Sequence, residues 1–185
     1  GPEKIAAIHQ GHFRLTANQN LIIANVPASE CMNIDRLVAD HGLGKALFTS
    51  PVRRDALACV ALPTCALAMA EAERYLPGFV DRVEGLLLKH GLKDIPLTLR
   101  ITGCPNGCAR PYLAEIALIG RAPGRYTLRL GADAIGSRLN VIYRDNIDEN
   151  AIVTALDELV GRYASERNND ERFGDFLWRV GVLKN

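Results

Sequence analysis

The chain has 185 residues, 48% of them apolar, with 22 Lys and Arg against 21 Asp and Glu. That apolar fraction excludes a disordered chain and is enough for one sizeable core, or for one and a half small ones. A net charge of +1 exerts no global pull on nucleic acid, and no apolar run approaches the roughly 20 residues that cross a bilayer.

The start, Gly1-Pro2-Glu3-Lys4, lacks a basic-then-apolar leader pattern, and its Gly-Pro reads as a tag scar, so it is set aside from fold reasoning. Phe13 to Thr16 and Asn20 to Val26 alternate like strands, with Thr16 to Gln19 between them. Pro27 ends the second strand. Ser29 is the expected N-cap of a helix over Glu30 to His41, with Ile34, Leu37 and Val38 as its buried stripe and Gly42 and Gly44 as its stop. This β-β-α piece is too small to bury both faces of its sheet, so it reads as a fragment of a larger α/β sandwich. Thr49 to Asp55 is polar and reads as a loop. The Ala, Leu, Met and Glu of Ala66 to Leu76 predict a helix, broken by Pro77-Gly78. A second helix is expected over Phe79 to His90, capped by Gly91. Pro96 to Thr102, Leu113 to Gly120 and Tyr126 to Gly131 read as strands, the last two joined by Ala122-Pro123-Gly124-Arg125. Asp148 is the expected cap of a helix from Glu149 to Glu166, and Phe173 to Leu183 forms a short amphipathic tail with Trp178 as its anchor.

Four of the five cysteines form two tight pairs: Cys59 and Cys65 around Leu62-Pro63-Thr64, and Cys104 and Cys108 around Pro105-Asn106-Gly107. Both pairs lie at turns made by Pro or Gly, which lets the sulfurs converge. In a reducing compartment, paired Cys serve metal binding or catalysis more than disulfides. Pro105 lacks an N–H and suits the first turn of a helix, and Gly107 permits a tight bend, so strand, turn and helix are expected around this pair. The spacing of the second pair fits structural zinc, that of the first fits it poorly, and both fit an iron–sulfur cluster. Structural or disulfide-bonded cysteines are the remaining alternative. Cys31, alone on the first helix, reads as a small buried hydrophobe.

Between Arg100 and Arg144 there are seven arginines (100, 110, 121, 125, 129, 138 and 144) against Glu115 and Asp133 only. Arg offers a planar fork for carboxylate or phosphate. A solvated face is the ordinary reading of any one of them, but the skew points to a polyanionic ligand near the second pair. The four histidines show no metal-ligand spacing. Glu71 and Glu73, two apart on the expected helix, face different ways and read as a solvated face rather than an acid pair.

Ala58-Cys59 through Cys65, then Leu67-Ala-Met-Ala-Glu-Ala-Glu-Arg74, then Thr102-Gly-Cys-Pro-Asn-Gly-Cys108 resemble the sirohaem-containing sulfite and nitrite reductases. The spacing within and between the pairs is the family's. Phe13-Arg14-Leu15-Thr16 through Gln19 resembles its second Arg-x-Thr-x-x-Gln element, and Ala122 to Tyr126 and Gly174-Asp175-Phe176 are also similar. The resemblance implies an α/β (α+β) fold corresponding to the C-terminal half of a pseudo-two-fold molecule. Residues 1–47 would be a ferredoxin-like half-domain fragment, and residues 48–185 the domain that binds cluster and sirohaem. It implies a 4Fe–4S cluster on Cys59, Cys65, Cys104 and Cys108, with Cys108 also the axial ligand of the sirohaem iron and hence the catalytic cysteine. Thr102, Asn106 and Gly107 are then candidate sirohaem contacts, with Arg14 and Gln19 from the repeated element and Arg110 and Arg144 from charge; sirohaem, a polycarboxylate, accounts for the arginines.

Arg110-Pro111 and the run Ala58 to Pro77 resemble the sulfite branch, in its assimilatory, NADPH-dependent form. That implies six-electron reduction of sulfite to sulfide in the cytoplasm, with electrons from a separate flavoprotein. The alternatives are a ferredoxin-fed enzyme, a nitrite reductase, or a zinc or iron–sulfur binding module without turnover. Neither nucleic acid nor membrane is an expected partner. The family's first half, which supplies most of the basic residues that grip the substrate, has no counterpart in this chain, so the chain is expected to be inactive alone and to work with that missing N-terminal half.

Overall fold

The computed structural model describes residues 2–44 and 49–184, which fall in two compact units, Gly1–Ser50 and Pro51–Asn185. The boundary expected after residue 47 lies outside the described residues.

In the first unit, helix α1 (Pro2–Ile8) precedes strands β1 (His12–Leu15) and β2 (Leu21–Ala24) and helix α2 (Cys31–Asp40). The strands pair antiparallel, Phe13 opposite Ile23. Their turn closes through Gln19 N–H to the Thr16 carbonyl at 3.1 Å and Asn20 N–H to Thr16 Oγ1 at 3.0 Å, with Gln19 at φ +62°. Ile5, Ile34 and Val38 form a small core, while Leu15 stays 86% exposed. Ser29 is not the N-cap. Pro27 fixes the entry, Glu30 N–H bonds its carbonyl at 2.9 Å, and the 3-10 turn Ala28–Glu30 carries the chain into α2 without a side-chain cap. Cys31 is not buried: it occupies the first turn of α2, beyond the small core, with Sγ 3.6 Å from the Pro27 carbonyl.

The second unit is built on a five-stranded sheet of order β3 (Leu57–Ala58), β4 (Leu99–Thr102), β5 (Ile116–Ala122), β6 (Arg125–Leu130) and β7 (Val141–Ile147). β3, β4 and β5 run parallel; β5, β6 and β7 are antiparallel. Leu99, Ile101, Ile116, Leu118, Leu128 and Leu130 share one face and form its core with helices α4 (Leu76–Lys89), α5 (Glu149–Glu166) and α6 (Phe173–Arg179). The expected cap of α5 is present: the Asp148 carboxylate accepts from Ala151 N–H at 2.9 Å.

Three expectations fail, each for an identifiable physical reason. Residues 51–55 are not a loop but helix α3 (Pro51–Asp55), started by Pro51, with Arg53 paired to Asp81 and Glu84 on α4. Pro77 does not break a helix; it lies in the first turn of α4, where its missing N–H is harmless. Residues 66–75 are not helical. Their N–H groups go elsewhere: Met69 and Ala70 both donate to the Gly103 carbonyl, at 2.8 and 3.1 Å, and Glu73 donates to the Cys59 carbonyl at 3.0 Å. Tertiary bonds override the propensity, and Glu71 and Glu73 accordingly do not share a helix.

Candidate metal centre

Parallel strands must be joined by crossovers that leave from their carboxyl ends. β3 leads directly into Cys59 and β4 into Gly103-Cys104, and the register pairs Ala58 with Ile101. Both cysteine turns therefore stand at one edge of the sheet, outside the carboxyl ends of neighbouring strands, where α/β sheets hold their ligands. Cys59 N–H extends the ladder to the Ile101 carbonyl at 3.2 Å, and Gly103 N–H lies 3.3 Å from Cys59 Sγ. The two pairs, distant in sequence, share a backbone contact at a sulfur.

Close packing fixes this arrangement. The first turn wraps onto Gly103 so tightly that a Cβ there would meet Ala61 Cβ at 2.6 Å and the Ala70 carbonyl at 2.8 Å. Ala61 is fully buried at φ +48°, and Cys65 N–H returns to its carbonyl at 2.8 Å. Tyr126 on β6 donates to the Glu71 carbonyl at 2.8 Å, and burial pushes its phenol up to about 12. In the second turn Gly107 takes φ +72°, with a Cβ excluded by Tyr112 at 2.9 Å. No α-helix follows Cys108, contrary to expectation. Arg110 takes φ +53° and the chain enters the 3-10 turn Pro111–Leu113, because Arg110 N–H bonds the Gly107 carbonyl at 2.8 Å and closes the turn early.

All five cysteines are free thiols; Cys59, Cys65 and Cys104 are half-buried and Cys108 is exposed. Thr102, fully buried, has Oγ1 3.4 Å from Cys59 Sγ, and Asn106 Nδ2 donates to Cys108 Sγ at 3.2 Å. Hydrogen bonds to sulfur stabilise thiolates and tune what they ligate. Among the described residues no three His, Cys, Asp or Glu side chains gather closely enough for one ion. One tetrahedral zinc would need its sulfurs within about 4 Å of each other. Four thiolates are the donor set that an iron–sulfur centre takes.

The other candidates divide. Thr102, Asn106, Gly107 and Arg110 lie in or beside the second turn. Arg144 stacks over Tyr143 at 5.4 Å on β7, three strands from β4 and roughly 14 Å away across the sheet. Arg14 donates to His12 Nε2 at 2.9 Å, and like Gln19 belongs to the first unit. The arginine surplus also divides: Arg121 faces Asp145 at 3.6 Å, Arg138 binds Asp175 at 2.5 Å and Arg125 bonds Asn146. Charge counting missed Glu115, which is no surface counter-ion but a fully buried hub, and Arg100, which is buried on β4.

Comparison with known proteins gives the chain's family and fold. The chain is 62% identical over 181 residues to the hemoprotein beta-component of NADPH sulfite reductase from Myxococcus xanthus, covering 98% of this chain and 32% of that protein. The chain belongs to the sulfite and nitrite reductase family. The same component from Erwinia tasmaniensis is 58% identical over 184 residues, and that from Salmonella arizonae 56% over 181. The chain spans about a third of the length of these relatives. In fold it matches the Mycobacterium tuberculosis NirA protein, with a TM-score of 0.76 at 24% identity over 95% of this chain and 34% of that one. Dissimilatory sulfite reductase I follows, with 0.67 at 12% identity over 98% and 64%. No protein-family model matches the chain. Among the described residues no helix is long and apolar enough to cross a membrane.

Proposed function

We propose that this segment is the cluster- and sirohaem-bearing part of a cytoplasmic sulfite reductase. Cys59, Cys65, Cys104 and Cys108 hold a 4Fe–4S cluster, and Cys108 is shared with the sirohaem iron. When bound, the two groups would pass on the six electrons, drawn from a separate donor, that take sulfite to sulfide. Supporting this reading is one observation above all: the Ala58–Ile101 register that sets both cysteine turns at one sheet edge, with Gly103 N–H 3.3 Å from Cys59 Sγ.

Within that reading, this chain's residues hold and orient. Gly103 N–H and the Thr102 hydroxyl steady Cys59, and Asn106 restrains Cys108. The exposure of Cys108 leaves its sulfur open to a second ligand. Thr102, Asn106, Gly107 and Arg110 would flank a tetrapyrrole bound here, and Arg110 would offer its carboxylates a guanidinium. Arg14, Gln19 and Arg144 contribute only through the arrangement of the whole reductase. The described residues of the first unit form part of a ferredoxin-like half-domain, and the exposed Phe13, Leu15, Leu21 and Ile22 are the apolar surface that the rest of the reductase covers. The electron donor is a flavoprotein, as the NADPH in the relatives' name implies.

The test is substrate choice. In the whole reductase containing this segment, fed by reduced viologen, sulfite is expected to be reduced to sulfide in preference to nitrite. Preferential conversion of nitrite to ammonia would assign the segment to the nitrite branch.

A further inference from the structure

The face of the sheet away from the helices carries a second, polar organisation. Across β4, β5 and β6 the register sets Arg100, Ala117 and Arg129 in one row, and Thr102, Ile119 and Thr127 in the next. Arg100 and Thr102 are two apart on β4 and so share a face. Thr102 touches Cys59 Sγ, while Arg100 Nη1 donates to the Arg110 carbonyl at 2.9 Å, two residues beyond Cys108. Arg100 thus anchors the second cysteine turn, on the sheet face it shares with the residue that touches Cys59.

Its surroundings are unusual for a buried charge. Arg100 is only 8% exposed, and its Nε has no partner among the described residues. Buried guanidinium groups are ordinarily paired with carboxylates, because an uncompensated ion in the interior is costly. Among the described residues no carboxylate is hydrogen-bonded or ion-paired to Arg100. Its charged neighbour is Arg110, which with burial lowers its proton affinity. Arg129, in the same row, is held by the neutral Asn140 at 2.8 Å and lies over Tyr112 at 5.2 Å, also without a carboxylate. A cation kept buried without a local anion is a favourable partner for negative charge gathered at the adjacent cysteine turns.

We propose that Arg100 is a positioning residue for the cysteine edge: it fixes the second turn through the Arg110 carbonyl, and its buried charge favours the more negative, reduced state of the centre the thiols hold. This rests on the iron–sulfur reading of the four cysteines. When that centre gains an electron, a positive charge a few residues away stabilises the product over the reactant, with no proton or bond change at Arg100 itself. In a site of low polarity the effect is about tenfold in the reduction equilibrium.

The experiment uses the whole reductase containing this segment, with Arg100→Met, Arg100→Gln and Arg100→Lys. Iron and acid-labile sulfide are quantified, then the cluster midpoint is found by potentiometric titration followed by electron paramagnetic resonance. Met and Gln remove the charge, and Gln keeps a donor for the Arg110 carbonyl. Both are expected to retain iron yet to be about tenfold harder to reduce, a fall of about 59 mV for one electron. Lys, which keeps the charge, is expected within about threefold of wild type. A midpoint unmoved in iron-loaded Arg100→Gln, or moved equally in Lys and Gln, would overturn the proposal. Absence of iron from the wild-type protein would overturn the cysteine reading beneath it, a separate outcome read before any variant is compared.

Discussion

Glu115→Ala is expected to destabilise the protein by about 3–5 kcal/mol, measured as the loss in free energy of urea unfolding. The Glu115 carboxylate is fully buried and accepts five hydrogen bonds. Arg172 Nη2 lies at 2.5 Å and Arg172 Nε at 3.2 Å, Thr98 N–H at 2.9 Å, Thr98 Oγ1 at 3.2 Å and Gly174 N–H at 3.2 Å. From its place just before β5, Glu115 thus ties together two segments, the residue before β4 and the N-terminus of α6. Removing the carboxylate strands two backbone donors and a guanidinium whose side chain is 23% exposed, so solvent repairs only part of the loss. The site cannot relax by collapse, because Gly174 already packs against the Ala132 carbonyl with no room for a Cβ. Glu115 also stands at the amino end of the parallel strands, opposite the cysteine turns. Iron uptake per folded molecule should therefore be unchanged while stability falls. A loss below about 1 kcal/mol, the size of an exposed ion pair, would contradict this account.

Cys108→Ser in the whole reductase is expected to lower sulfite turnover more than about 100-fold, since even groups one shell beyond a metal contribute 10–100-fold. Of the four thiols, Cys108 is the exposed one, it follows the left-handed Gly107, and it carries the Asn106 hydrogen bond. A serine oxygen is a harder, shorter ligand that a proton competes for more strongly, so it cannot join two iron centres as a thiolate does. The magnetic coupling between haem and cluster should vanish with the activity. Coupling that survives the substitution would assign the shared ligand elsewhere. Asn106→Leu, which leaves the thiolate in place, should fall well short of that loss.

The turns at the cysteines were more legible in the sequence than the scaffold around them. The Pro and Gly near each pair act locally, so both bends could be read without the fold. Asp148 was readable for the same reason: a cap needs only its own next turn. The segment 66–75 misled because its composition favours a helix, while its N–H groups are claimed by the carbonyls of Gly103 and Cys59, far away in the chain. β7 went unread because Arg144, Asp145 and Asn146 interrupt the apolar alternation, and its register against β6 shifts twice. In the sequence Arg100 and Glu115 stand only as charges of opposite sign within one stretch. Only the fold reveals that one is buried without a carboxylate and the other buried among donors, since burial depends on which strands become neighbours.

The most direct measurement is the content of the anaerobically reconstituted chain. Iron and acid-labile sulfide are expected in equal amounts, about four of each per molecule, with broad visible absorption that disappears when Cys59 and Cys104 are both replaced by serine. A colourless protein that takes up one zinc per chain and no iron–sulfide would contradict the account.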